Sequence, residues 1–396
     1  MPGRETVYIE YMGCPQRALD AGRFSDFFLK NGFKISKMPK HADHILFISC
    51  AFRNTDEEFA LKRIKELSRY KARLILGGCL NSIDQERLNG FFRGPAVDTS
   101  DPAQIDRLFP HLAAKFSEIP DTNRLYPRSK IQLFRLYADS MKRLDINCLK
   151  SISDFIKRKD HKRYWYVRAA WGCVKEHCSY CSVWRAVGEF KSKSVEDCVR
   201  ELKEGLRCGY KNILITADNL GAYGSDIGLT LPNLLEELIE IHGNYKIQLE
   251  NVHPFWLLKY LDDFLSLFRL NKIRAVLCPV QSGNDRILGL MNRRYQAGKV
   301  RMGLLKIKEA SPGIELYTHI IAGFPSETES EFDQTLTLVK EAGFNFIHIT
   351  GYHKRPGAND KGLLGQAIPS DAISKRIQRA ERFLKQNKIG YFVYPE

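Results

Sequence analysis

Three cysteines inside nine residues constrain this chain more than any other feature. They are Cys173, Cys178 and Cys181, in the stretch RAAWGCVKEHCSYCSVWRAVG at 168–188. Thiolates this close chelate a metal or a cluster from a single loop. Iron–sulfur cubes usually take four cysteines, one per iron. Three leave one iron open, and an open position is how a metal site admits a reactant. S-adenosylmethionine (SAM) suits such a position, because its amino and carboxylate groups can chelate the free iron. An electron from the cluster would then break its sulfonium C–S bond and release a deoxyadenosyl radical. Structural zinc with His177 as a fourth ligand, or chance clustering, are the alternatives.

Three further cysteines each close a strand-like run: Cys14 after YIEYMG, Cys50 after ILFIS and Cys79 after LILGG. In an open parallel α/β sheet, sites form beyond the carboxyl ends of the strands. Three thiols at three such ends can therefore converge although they are far apart in sequence. Cysteine is also a common buried residue, so one strand-end cysteine would mean little. Three in register suggest a second cluster with an exchangeable corner. Cys148, Cys198, Cys208 and Cys278 lack chelating spacing and read as structural.

The patterning predicts an N-terminal open parallel α/β sheet domain over 1–125. Its strands TVYIEYM, HILFIS and RLILGG alternate with helical stretches. A basic, mostly helical connector follows over 126–163. Residues 127–163 carry eleven Lys/Arg against four Asp/Glu, within a chain of net charge +15. That balance predicts an acidic partner, a nucleic acid among them, or a solvated basic face. From 164 to 396 six strand candidates separated by helices predict a partial (β/α)6 barrel, with its chemistry at the carboxyl ends of the strands. Ten cysteines without a signal-like start favour metal chemistry over disulfides. No apolar run reaches membrane-spanning length, so a cytoplasmic protein with no membrane partner is expected.

The cysteine triplet, with Tyr180 before its last member, resembles the radical SAM superfamily. The spacing here is C-x4-C-x2-C rather than C-x3-C-x2-C, and one residue adds at most ~3.5 Å of reach. Together with GCPQRALD (13–20), ISCAFRNT (48–55), GGCLNS (77–82), ITADNLGAYGSD (215–226), VHP (252–254), PVQSGNDRILGLMNRRY (279–295) and HIIAGFPSETESEFDQTL (319–336), it resembles the methylthiotransferases of that superfamily. GCP and SCAF lean toward the branch that modifies an aspartate of a ribosomal protein.

The resemblance implies two [4Fe–4S] clusters and SAM. Cys14, Cys50 and Cys79 would hold an auxiliary cluster that supplies sulfur; Cys173, Cys178 and Cys181 would hold the radical cluster. Both would face one dry cavity. The cofactor would lie near Tyr180, near Gln281, Ser282 and Gly283 at the end of the fourth barrel strand, and near Asn292 and Arg293, the arginine pairing with a carboxylate. Gly323 and Pro325 would shape a tight turn beside it. The activity implied is sulfur insertion, as a methylthio group, into an unactivated C–H bond, with a low-potential donor such as a flavodoxin or ferredoxin. An auxiliary cluster used for electron transfer or substrate anchoring, and a basic nucleic-acid-binding protein with structural metal, are the other readings. Relatives usually end in a TRAM barrel, and the residues after KRPGAND are too few for one. This favours a peptide, protein or small-molecule substrate over RNA.

Overall fold

The computed structural model describes residues 5–128, 164–174, 178–358 and 366–394. The expected basic connector lies outside these from residue 129 onward, as do Cys148 and His177. The described chain divides into two compact units. The first holds residues up to Ala138, Ser182–Glu189 and Arg355–Gly357; the second holds Asp139–Cys181, Phe190–Lys354 and Ala358–Glu396.

In the first unit, strands β1 (Thr6–Tyr11), β2 (Lys34–Ile35), β3 (His44–Ser49) and β4 (Arg73–Gly78) form a parallel sheet of order β2-β1-β3-β4. Helices α1 (Pro15–Lys30), α2 (Asn54–Leu67) and the single turn α3 (Leu80–Ile83) follow β1, β3 and β4. Pro15 at the first turn of α1 needs no N–H there, so the strand passes into the helix directly after Cys14. A bidentate pair ties sheet to helix: Arg63 of α2 donates from Nε and Nη2 to Glu10 of β1, both at 2.9 Å. Tyr8 donates to the same carboxylate.

In the second unit, β5 (Tyr164–Arg168) is followed by a hairpin of β6 (Ala170–Trp171) and β7 (Lys191–Ser192). Then come β8 (Asn212–Thr216), β9 (Lys246–Leu249), β10 (Ile273–Leu277), β11 (Glu315–Ala322), β12 (Phe346–Gly351) and β13 (Gly390–Val393). Among the described residues, seven parallel strands run in the order β13-β12-β11-β10-β9-β8-β5. The short strand near the C-terminus thus joins the sheet as a seventh member beside β12. WYVRAAW, read as one strand, is split between β5 and the hairpin. Alternate residues such as Ile213, Ile215, Ile247, Leu249, Ile320, Ile347 and Ile349 are buried in one apolar cluster with the helices. Their in-between neighbours point to the other face of the sheet.

Candidate functional site: two cysteine triads

The triad of the first unit is built by strand ends and two glycines. Gly13 and Gly78 sit at φ +100° and +91°, the left-handed region that favours glycine. A Cβ at Gly13 would lie 2.9 Å from Cys50 Sγ, and one at Gly78 would lie 2.1 Å from the Ser49 carbonyl oxygen. Glycine therefore lets these chain ends approach. Ser49 holds the register, its Oγ donating to the Gly77 carbonyl at 2.8 Å while its own carbonyl accepts from the Cys79 N–H at 3.1 Å. Cys50 and Cys79 are buried and Cys14 is exposed. Burial pushes the Cys50 thiol well up, helped by Asp56, Cys79 and Cys14 in that order. Cys50, Cys79 and Ala186 belong to one apolar cluster, so the segment that follows Cys181 completes this unit's core.

Arg355 lies in the same unit. Its guanidinium donates to the Ala51 carbonyl at 2.6 Å, one residue past Cys50, and to Glu57 at 2.7 Å. Arg87 donates to the other oxygen of Glu57 at 2.6 Å. The loop that carries Cys50 is thus held by charge from a distant part of the chain.

The triad of the second unit follows the β6 strand. The Gly172 N–H donates to Asp218 at 3.1 Å, which anchors the start of the loop. Ser179 anchors its end: its N–H reaches the Met291 carbonyl at 3.1 Å and its Oγ the Leu290 carbonyl at 2.7 Å. Burial pushes the Cys173 thiol up to about 12, helped by Cys181, Cys178 and Asp218 in that order. Tyr180 packs on a small cluster of Ile287, Met291, Ile321 and Phe324.

The remaining sequence candidates are placed as follows. Gln281 extends beyond β10 as an isolated bridge to Ile320 and is half-buried, with a left-handed φ of +63°. Ser282 Oγ and the Gly283 N–H both meet Thr335 Oγ1, so these two brace the turn against the helix Glu329–Glu341. Asn292 is exposed. Arg293 donates to Cys178 Sγ at 3.2 Å, to the Tyr295 hydroxyl at 3.0 Å and to the Pro279 carbonyl. Gly323 and Pro325 are buried in the turn after β11, where the Gly323 N–H donates to Glu327 at 2.8 Å. Arg376 donates to the same Glu327 carboxylate at 3.0 Å. His253 is held neutral, well below its usual range, by burial and then by Arg293. Ser179 and Asp218 lie in motifs already singled out, but their contacts, like those of Arg355 and Arg376, join distant parts of the chain and leave no trace in local spacing.

The donor sets can be tested against the clusters. A tetrahedral zinc binds thiolates at ~2.3 Å, which draws its sulfurs to roughly 3.8 Å of one another. No group of three His, Cys, Asp or Glu among the described residues is arranged to hold one metal ion. Yet Cys79 and Cys14 add to the upward shift of Cys50, Cys181 and Cys178 add to that of Cys173, and all six are free thiols. Thiols that sense each other without single-ion geometry fit a cube, in which each binds a different iron.

Known families give the same picture. The model described as "Radical SAM superfamily" matches residues 172–339, and that of "Uncharacterized protein family UPF0004" matches residues 6–97. The tRNA-2-methylthio-N(6)-dimethylallyladenosine synthase of Thermoanaerobacter sp. is 30% identical over 405 residues, covering 98% of this chain and 79% of that protein. Its counterpart in Thermotoga petrophila is 28% identical over 379 residues, covering 94% and 80%. The threonylcarbamoyladenosine tRNA methylthiotransferase of Homo sapiens is 27% identical over 384 residues, covering 96% and 63%. Among solved structures, the radical SAM methyltransferase TsrM of Kitasatospora setae superposes with a TM-score of 0.63 at 12% identity, covering 90% of this chain and 77% of that one. At that identity the likeness is one of fold. A cysteine triad on each of these two matched segments, together with these relatives, leads to one conclusion: the chain is a sulfur-transferring enzyme that uses SAM and two [4Fe–4S] clusters, and it belongs to the radical SAM methylthiotransferase family.

Proposed function

We propose that this enzyme methylthiolates an adenosine of a tRNA, with Cys173, Cys178 and Cys181 holding the radical cluster and Cys14, Cys50 and Cys79 the auxiliary one. The observation that carries the reading is the auxiliary triad, three thiols on one edge of a parallel sheet in a chain whose named relatives act on tRNA adenosines. The expectation of a peptide, protein or small-molecule substrate, and the lean toward the ribosomal-protein branch, give way to those names. A net charge of +15 suits a polyanionic substrate. The partners follow as tRNA and a low-potential electron donor of the flavodoxin or ferredoxin class, in the cytoplasm.

When bound, the reduced radical cluster supplies the electron that splits the sulfonium of SAM. The chain's own work is orientation and exclusion of water. Ser179 and Asp218 fix the two ends of the radical loop, and Tyr180 seats it on an apolar cluster. Cys50 and Cys79 are buried while Cys14 is exposed, so the triad has a dry side and a side open to a reactant.

The test is anaerobic turnover of the reconstituted enzyme with SAM, reductant and tRNA that carries N(6)-dimethylallyladenosine or threonylcarbamoyladenosine, followed by nucleoside mass spectrometry. A methylthio-adenosine, with S-adenosylhomocysteine and 5′-deoxyadenosine in step, is the expected product set. Deoxyadenosine formation with tRNA nucleosides unchanged would remove tRNA as the substrate.

A further inference from the structure

We infer that Arg293 is a positioning residue for the radical cluster. It is the buried counter-charge that aims the Cys178 sulfur and eases one-electron reduction of the cluster that sulfur holds. The inference rests on the ligand assignment above and goes beyond it. The family resemblance implies that Arg293 pairs with a carboxylate of the cofactor. In the fold its guanidinium is committed elsewhere, to Cys178 Sγ at 3.2 Å, the Tyr295 hydroxyl at 3.0 Å and the Pro279 carbonyl.

Three observations point the same way. Arg293 is 3% exposed, and among the described residues its hydrogen bonds go to a thiol, a hydroxyl and a carbonyl rather than to a carboxylate. A buried guanidinium without an anion is costly, so the site calls for negative charge. Three thiolates on an oxidised cube leave a net negative charge, and reduction adds another. Cys178 is where that charge meets the arginine. Second, Asn292 and Arg294 on either side both adopt left-handed backbone, φ +55° and +54°. Arginine does not favour that region, and such outliers persist where the surroundings demand them. Here they turn Arg293 inward between two outward neighbours, Asn292 and Arg294 being exposed. Third, the supports are themselves supported. Tyr295 donates its hydroxyl proton to the Val280 carbonyl at 2.7 Å, and its ring lies 5.3 Å from the guanidinium carbon. Ser179 binds the cluster loop to Leu290 and Met291, just before Arg293.

Hydrogen bonds to cluster sulfurs and nearby charge set the potential of a cluster. A donor on Cys178 favours the form with more electron density on sulfur, the reduced one. The electron comes from the external low-potential donor, one per reduction, and no proton or bond changes at Arg293.

The test uses the full chain, reconstituted anaerobically, as wild type, R293M, R293K, Y295F and C178A. Iron and sulfide are counted, and the paramagnetic signal that responds to added SAM is titrated against potential. R293M is expected to keep the wild-type iron content while the reduced-to-oxidised ratio at fixed poise falls about tenfold, which is ~59 mV for one electron. R293K, which keeps the charge, recovers part of the loss. Y295F shifts the ratio in the same direction by less. An R293M protein with full iron and an unchanged ratio overturns the inference. Should R293M not hold the cluster, unchanged ratios in both R293K and Y295F overturn it. The ligand assignment fails separately: C178A would then retain all its iron and its SAM-responsive signal.

Discussion

Glu327 shows how a single buried carboxylate can brace the turn after a strand. Burial pushes its pKa up to about 7, against the Gly323 N–H and Arg376, which both pull it down. Its reference value in the unfolded chain is 4.5. Below that value both states are protonated and the fold keeps this contribution in full. As pH rises through the window to about 7, the unfolded chain gives up the proton first, and stability falls. The full swing is on the order of 3 kcal/mol. Denaturant titration of the intact chain at pH 5 and pH 8 should show the loss, and E327Q should flatten it. An E327Q protein with an undiminished pH slope would assign the titration to another group. The cysteines give a second residue-scale expectation. C14A or C50A should each lose about four irons and leave the SAM-responsive signal in place, whereas C173A should abolish that signal. Loss of both clusters from one substitution would contradict independent triads.

At the scale of elements, the bond between β1 and α2 rests on the Glu10–Arg63 pair, whose side chains are 0% and 5% exposed. Breaking a buried pair by removing one partner costs about 3–5 kcal/mol, because the other charge stays buried. E10Q should therefore lower the denaturation midpoint more than the double variant E10L/R63M. Equal losses from the two proteins would show that the pair is solvated after all. Much of this layer was legible in sequence. Cys14, Cys50 and Cys79 could be read together because each follows a run of strand-forming residues, and strand ends in parallel sheets share an edge, whereas Cys173, Cys178 and Cys181 could be read from their spacing within nine residues. The two-residue strand β2 was not, since Lys34–Ile35 is too short to show any period. Nor was the split of WYVRAAW, because the β6–β7 hairpin pairs residues twenty apart across the cysteine loop. Arg293 was named but given a different partner. Its contact with Cys178 spans 115 positions, and local spacing carries no trace of a contact that long. The same holds for Arg355 and Glu57, 298 positions apart.

At the scale of the whole molecule, charge and connectivity each have a consequence. With a net charge of +15, affinity for tRNA should fall steeply with salt, and the slope of log affinity against log salt counts the phosphates neutralised. A flat slope would argue against a polyanionic substrate. Connectivity matters because the first unit is not one run of chain: it takes in Ser182–Glu189 and Arg355–Gly357 as well as the N-terminal residues. Ala186 is fully buried in the cluster that contains Cys50 and Cys79, and Arg355 pairs with a Glu57 side chain that is 1% exposed. A fragment ending at Arg128 therefore lacks part of its own core and leaves Glu57 with Arg87 alone. It should bind a hydrophobic dye, melt without a cooperative transition and hold less than the ~4 irons of one cube after reconstitution. In the full chain, R355M should lower stability by about 3 kcal/mol, near the lower end for a broken buried pair, because Arg87 still answers Glu57. If the fragment instead folds cooperatively and fills its cluster, the two distant segments are ornaments on a self-sufficient domain, and the R355M loss should vanish with them.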